Sequence, residues 1–373
     1  MDPTDALLAH FDKAIDTDLA ERADSMQRIS EDTTALIDAA RVLLTQGKRM
    51  RPRFCYWGWR AIADRAAPDV LPQAGTSAAQ LRAVLTLALG LEYFHAAALI
   101  HDDIIDRSDS RRGNPAVHRF FEARYQRHAA PGEAEHFGVS AAILLGDLLL
   151  TWSHELFATA LAENLAEDVR ALARRRIHTM ATNVTIGQFL DVWAESAWES
   201  RSTQEAVQES LTVLRYKSAK YSVEDPLLIG ATLAGASVGD IEILGRYGLA
   251  LGEAFQLRDD ILGVFGDPVE TGKPAGDDIR EGKRTALILF TRDALPHGMR
   301  TVLDESLGNP RLDSDQIEIV RRLVRESGAL EKVERMISER VDHARTALVE
   351  GQFSDEAGAE LNRLIDAAAY RSR

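Results

Sequence analysis

At 373 residues, with 45% apolar and 27% charged side chains, the chain has the composition of an ordinary globular protein rather than a disordered or fibrous one. A net charge of −14 argues against nonspecific nucleic-acid binding and against polybasic docking on anionic lipid. The lone Cys55 excludes an intrachain disulfide and a cysteine-based zinc site, and fits a reducing, cytoplasmic setting.

Met1-Asp2-Pro3-Thr4-Asp5 lacks the basic segment and apolar core of a signal peptide. Helical periodicity then runs from end to end. The spacing predicts helices at 5–24, 28–47, 51–64, 76–106, 115–127, 138–162, 165–195, 203–219, 222–235, 239–265, 282–293, 297–306, 313–327, 329–350 and 354–371. The longest apolar stretches, 84–100 and 139–150, are interrupted by Glu92 and Asp147 and fall short of ~18 uncharged residues. They read as buried helices of a soluble protein, with no membrane span. No fixed repeat, low-complexity tract or polar linker divides the chain. The expected architecture is all-α: one domain over 1–373, a large helical bundle around a central cavity.

The motif that carries chemistry is His101-Asp102-Asp103-Ile104-Ile105-Asp106, followed by Arg111-Arg112-Gly113. Asp102 and Asp106 stand at i and i+4, so both carboxylates leave one helix face. Stacked like charges call for a cation, and Mg²⁺ is commonly bound through one or two carboxylates together with substrate phosphates. The arginine pair offers forks suited to phosphate. By itself this pattern is equally a solvated acidic helix end followed by a basic turn.

A second acidic stripe comes later: Gln256, Asp259, Asp260 and Gly263 follow i, i+3, i+4, i+7 on a largely apolar helix. Carboxylates inside a bundle are costly unless neutralised or metal-bound, and two such stripes can face each other across a bundle cavity. The segment Phe265–Thr285 carries Gly266, Gly272, Gly276 and Gly282 with Lys273, Lys283 and Arg284. As composition it is a surface loop, but its place after the acidic stripe points to a phosphate-binding lid.

These motifs, in this order, resemble those of the trans-isoprenyl diphosphate synthases, or polyprenyl synthetases, over roughly residues 40–290. Gly47-Lys48-Arg49-Met50-Arg51-Pro52 is similar to the family's Gly-Lys-x-x-Arg-Pro. The first aspartate motif with its Arg-Arg-Gly tail follows, then Gly187-Gln188-Phe189-Leu190-Asp191, Lys217-Ser218, the second aspartate motif, Gly272-Lys273-Pro274, and Gly282-Lys283-Arg284-Thr285. The resemblance implies that Asp102 and Asp106 hold two of three Mg²⁺ ions and Asp259 the third, with Asp260 in support. It implies that Arg111, Lys217, Gln256, Lys273 and Lys283 bind an allylic diphosphate (dimethylallyl, geranyl or farnesyl), with Ser218 near the scissile bond. Lys48, Arg51, His95 and Arg112 would bind isopentenyl diphosphate. A homodimer is implied in the same way. Gln188 and Asp191 read either as cavity wall or as a buried hydrogen-bond network, and Asp147 as a packing group. The chain departs from the pattern at Gly263, where the family's second motif usually carries a third Asp.

The implied activity is head-to-tail prenyl transfer. For product length, Ala97 and Ala98, just before Asp102, are too small to stop a growing tail. Phe94 stands ~12 Å along the axis from Asp102. With isoprene units of roughly 5 Å, a C15 substrate fills the path to Phe94 and one addition ends growth, giving geranylgeranyl diphosphate, C20. Farnesyl (C15) and longer (C25 and above) synthases, a class I terpene cyclase and a noncatalytic partner subunit are the alternatives. The cyclase lacks its Asn/Asp–Ser/Thr–Glu triad here. The partner subunit is disfavoured by retention of nearly every other charged position of the motifs.

Overall fold

The computed structural model describes residues 3–64, 76–126, 131–197, 201–266 and 276–370. The chain falls into two compact units, one formed by residues 1–56 and 72–166, the other by 57–71 and 167–373. One of the boundaries between them, at 56/57, falls within a helix, α3 (Met50–Ala63). The all-α expectation holds: the only strands among the described residues form a two-residue antiparallel hairpin.

The first unit begins with α1 (Pro3–Gln27). The helix expected over 28–47 is instead a 3₁₀ turn, Glu31–Thr33, N-capped by Ser30, followed by α2 (Thr34–Leu44). A serine hydroxyl that accepts from the backbone two residues on competes with continuous helix, which accounts for the later start. After α3 come α4 (Thr76–Ile105), strands β1 (Ser110–Arg111) and β2 (Asn114–Pro115), α5 (Val117–Tyr125) and α6 (Pro131–Leu161). Leu44, Tyr93, Ala97, Ile100, Leu145 and Leu149 form its apolar centre. Arg22 of α1 lies 4.7 Å over the Trp152 ring and bonds Asp18, which also accepts from the buried Tyr93 hydroxyl.

Both α4, over Ala78–Ile105, and α6, over Gly132–Leu161, are long and apolar enough to cross a membrane by length and composition alone. The first is 72% buried inside the protein and the second 33%. The expectation of buried helices therefore holds for α4 and not for α6, which shows Phe137, Ile143 and Leu144 at its surface. Periodicity could not reveal this, because a helix apolar on several faces has no distinct outward side.

In the second unit α7 (Glu167–Ala197) and α8 (Thr203–Val213) lead into a π-helical stretch, Leu214–Glu224, then α9 (Asp225–Leu233) and α10 (Val238–Phe265). There follow α11 (Asp277–Glu281), α12 (Ala286–Ala294), α13 (His297–Ser306), α14 (Ser314–Glu326), α15 (Ala329–Glu350) and α16 (Asp355–Ala369). Helix α10 is the axis of this unit. Its buried Glu253 accepts from Arg215 of the π stretch at 2.9 Å and from Arg340 of α15 at 2.6 Å. Arg258 holds Glu334 of α15 through two bonds, at 2.6 and 2.7 Å, and the carbonyl of Ala369 at 2.8 Å.

Candidate active site

In the first unit the acidic run occupies the last turns of α4. The helix ends as Asp106 N–H donates to the Asp102 carbonyl at 2.8 Å and Ser108 N–H to that of Asp103 at 2.9 Å. The chain then reverses through Arg107 and Arg112, both with positive φ (55° and 53°), and the small hairpin presents the two arginines. Asp102 and Asp106 keep partial exposure, whereas Asp103 between them is 1% exposed. Arg111 explains that burial. Its Nε donates to Asp103 Oδ1 at 2.8 Å, its Nη2 contacts the same oxygen, and Nη2 stands 3.7 Å from Asp102 Oδ2. Asp103 therefore positions the arginine that lies beside the first exposed carboxylate, a role that the sequence reading left unassigned.

Two further arginines of this unit are also held by the fold. Arg112 Nη1 donates to the carbonyls of Leu43, at 3.2 Å, and Gln46. Its guanidinium lies against Gly47, where a β-carbon would stand 2.9 Å from Nη1. Within Gly47-Lys48-Arg49-Met50-Arg51-Pro52, Arg49 is the buried member, bonded to Glu92 and to Asp12, each at 3.0 Å. Glu92, which seemed only to interrupt an apolar run, is thus the partner of a buried cation. Lys48 is exposed and Arg51 partly buried. Burial, followed by the charges of Arg51, Arg112, Arg111 and Arg49, holds His95 well below its ordinary value, so it is a neutral imidazole at pH 7. Burial also draws Arg112 down, reinforced by Arg111, Arg51 and Arg49 and opposed by Glu92. Four guanidiniums thus converge near His95, an environment that favours an anion with several oxygens. Along the same helix Phe94 is buried, Ala97 is fully enclosed in the apolar centre and Ala98 is partly exposed.

In the second unit Lys217 and Ser218 lie within the π stretch, which the sequence divides into two helices with a gap at 220–221. Short wide turns of this kind recur at functional positions. Neighbouring glycines admit it: a β-carbon at Gly187 of α7 would stand 2.4 Å from Lys217 N, and one at Gly252 of α10 2.4 Å from the Ala219 carbonyl. Lys217 Nζ pairs with Asp191 Oδ2 at 2.5 Å, which makes Asp191 a positioning partner of that cation. Gln188 Nε2 is buried with no hydrogen-bond partner among the described residues.

The second aspartate motif divides as the first does. Asp259 is exposed and Asp260 is 7% exposed. Here the buried carboxylate accepts, among the described residues, from the amide of Gln256 at 2.8 Å. Burial, and then the charges of Asp278 and Asp259, push Asp260 up to about 8, against the Gln256 bond and Lys283. Lys283 Nζ stands 2.8 Å from Glu281 and 3.7 Å from Asp278. Lys273 and residues 267–275 of the expected lid lie outside the described residues. Both motifs thus present hard oxygen donors beside crowded like charge, a donor set that fits Mg²⁺, which takes one or two carboxylates and keeps the rest of its shell for water and phosphate.

Comparison with known proteins bears on this arrangement directly. The sequence profile of the family described as polyprenyl synthetase matches residues 33–324. A geranylfarnesyl diphosphate synthase of Aeropyrum pernix is 31% identical over 321 residues, which cover 86% of this chain and 89% of that protein. A geranylgeranyl diphosphate synthase of Methanosarcina mazei is 30% identical, with 91% and 88% covered. The crystal structure of a geranylgeranyl pyrophosphate synthase from Corynebacterium glutamicum, complexed with isoprenyl diphosphate and magnesium, superposes with a TM-score of 0.85 at 36% identity, covering 97% of this chain and 99% of that one.

Proposed function

The chain belongs to the polyprenyl synthetase family, and on that premise we propose that it condenses isopentenyl diphosphate with an allylic diphosphate, giving chiefly the C20 product, geranylgeranyl diphosphate. The observation that carries this reading is the cluster of Arg51, Arg111, Arg112 and neutral His95 beside Asp102. A single phosphate does not call for so many fixed guanidiniums; diphosphates do.

Each residue then has a task. Lys48, Arg51, His95 and Arg112 bind the diphosphate of isopentenyl diphosphate, with His95 giving a neutral N–H. Arg111, Lys217, Gln256, Lys273 and Lys283 bind the allylic diphosphate, with Ser218 beside its scissile C–O bond. Asp102 and Asp106 would hold two Mg²⁺ ions, and Asp259 with Asp260 a third, supplying charge neutralisation for a departing diphosphate. The allylic C1–O bond breaks, the double bond of isopentenyl diphosphate forms the new C–C bond, and the departing pyrophosphate takes the proton lost. Asp103 and Asp191 keep Arg111 and Lys217 in place for this, so that little reorganisation is needed during reaction.

Product length follows from α4. Ala98 is partly exposed and Phe94 lies one turn beyond it, while Ala97 is enclosed in packing. The tail path therefore runs over Ala98 to Phe94. A homodimer through α6 accounts for its exposed apolar face. Incubation of the purified protein with Mg²⁺, isopentenyl diphosphate and dimethylallyl, geranyl or farnesyl diphosphate tests the reading. The expected major product is C20. Ala98→Phe shifts it toward C15 and Phe94→Ala beyond C20, each by about one isoprene unit. Absence of any elongated product refutes the activity, and an unchanged product from both variants refutes the length assignment.

A further inference from the structure

Gly263 stands where the family resemblance leads one to expect a third aspartate, and the structure shows what fills the space. A β-carbon on Gly263 would lie 1.8 Å from Asp278 Oδ2 and 2.3 Å from Asp278 Cγ. The carboxylate of Asp278, on α11, thus rests directly on the bare α-carbon of α10, one turn beyond Asp259 and Asp260. No side chain other than hydrogen leaves room for it. The negative charges of Asp278 and Asp259 both bear on the buried Asp260, although among the described residues no three acidic or imidazole side chains are grouped closely enough to hold a metal ion by themselves.

The short helix that presents Asp278 is fixed at several points. Gly276 at its start and Gly282 at its end have φ of 69° and 80°, and a β-carbon on Gly282 would stand 2.9 Å from the α-carbon of Gly308. Gly308 N–H donates to the Ile279 carbonyl at 2.9 Å, and Arg280 reaches the Leu312 carbonyl at 3.3 Å. The helix that carries this carboxylate is therefore held in place by packed backbone. Lys283 Nζ, 3.7 Å from Asp278 Oδ1, balances part of the charge.

We infer that Asp278 is the third carboxylate of the second acidic cluster, delivered from α11 into the space that Gly263 leaves open, and that it supports the metal ion assigned to Asp259. Gly263 is then an accommodation and not a loss. The inference rests on the metal reading of this motif given above, and the test separates the two. The probe is Mn²⁺ with inorganic pyrophosphate, titrated into the full-length protein and followed by electron paramagnetic resonance. Asp278→Asn, which keeps the shape, weakens Mn²⁺ binding by about 10- to 100-fold, as loss of a supporting carboxylate does. Gly263→Asp alone lowers the thermal midpoint of the metal-free protein, because two side chains then claim one volume. The exchange Gly263→Asp/Asp278→Gly regains both the midpoint and at least part of the Mn²⁺ affinity. Wild-type Mn²⁺ affinity in Asp278→Asn, or an exchange variant no better than Gly263→Asp in midpoint and affinity, overturns the inference. If Asp259→Asn also binds Mn²⁺ as wild type does, it is the metal reading of the motif that fails.

Discussion

Near the end of α4 the buried member of the acidic pair, Asp103, faces Arg111; near the end of α10 the buried member, Asp260, faces the neutral amide of Gln256 and two further carboxylates. The exposed members, Asp102 and Asp259, are the ones that the family resemblance assigns to metal. The plan is thus repeated, with a different source of neutralising charge. In the first motif the polypeptide supplies a full guanidinium. In the second it supplies an amide and a lysine shared with Glu281. Two motifs that look alike in sequence therefore differ in how far they need a cation from outside the chain.

The largest expected effect concerns what the motifs have in common. Asp102→Asn and Asp259→Asn should each lower turnover by roughly 10³-fold or more, since each removes charge that holds the ion at the developing leaving group. Steady-state rates with Mg²⁺, and circular dichroism to confirm the helices, provide the check. Undiminished wild-type turnover in excess EDTA would remove the basis for both. The next effect concerns what separates them. Arg111→Ala leaves Asp103 as a buried charge without its guanidinium and should cost about 3–5 kcal/mol in urea unfolding. Gln256→Ala removes one hydrogen bond and should cost about 1 kcal/mol. Equal losses would erase the distinction.

Much of this was legible before any coordinates. Asp102 and Asp106, which the i, i+4 spacing puts on one helix face, are both partly exposed, and the long helices α4, α7, α10 and α15 lie where periodicity puts them. The division between adjacent aspartates was not legible, because it depends on partners elsewhere. Arg111 reaches Asp103 only after the chain reverses through the positive-φ Arg107, and Asp278 comes to Gly263 from a separate short helix. The π stretch was hidden for a similar reason: Gly187 and Gly252 on neighbouring helices admit its wide path, whereas its own residues read as two ordinary helices with a break at 220–221. Ala97 and Ala98 look interchangeable in the sequence. Only packing encloses the first and leaves the second open.

The contrast between the motifs is tested most directly by the metal-free stability of two isosteric variants at pH 7, Asp103→Asn and Asp260→Asn, measured by denaturant unfolding in EDTA. Asp103→Asn breaks a buried ion pair and should destabilise the protein by about 3 kcal/mol or more. Asp260 behaves oppositely. Its folded-state value, about 8, lies above the ordinary 3.8, so between those pH values folding takes up a proton and stability falls as pH rises. Asp260→Asn removes that penalty and should stabilise the metal-free protein by roughly 2–4 kcal/mol at pH 7, with little effect near pH 4. Opposite signs for the two variants are the predicted result; destabilisation by both, of similar size, would contradict the account.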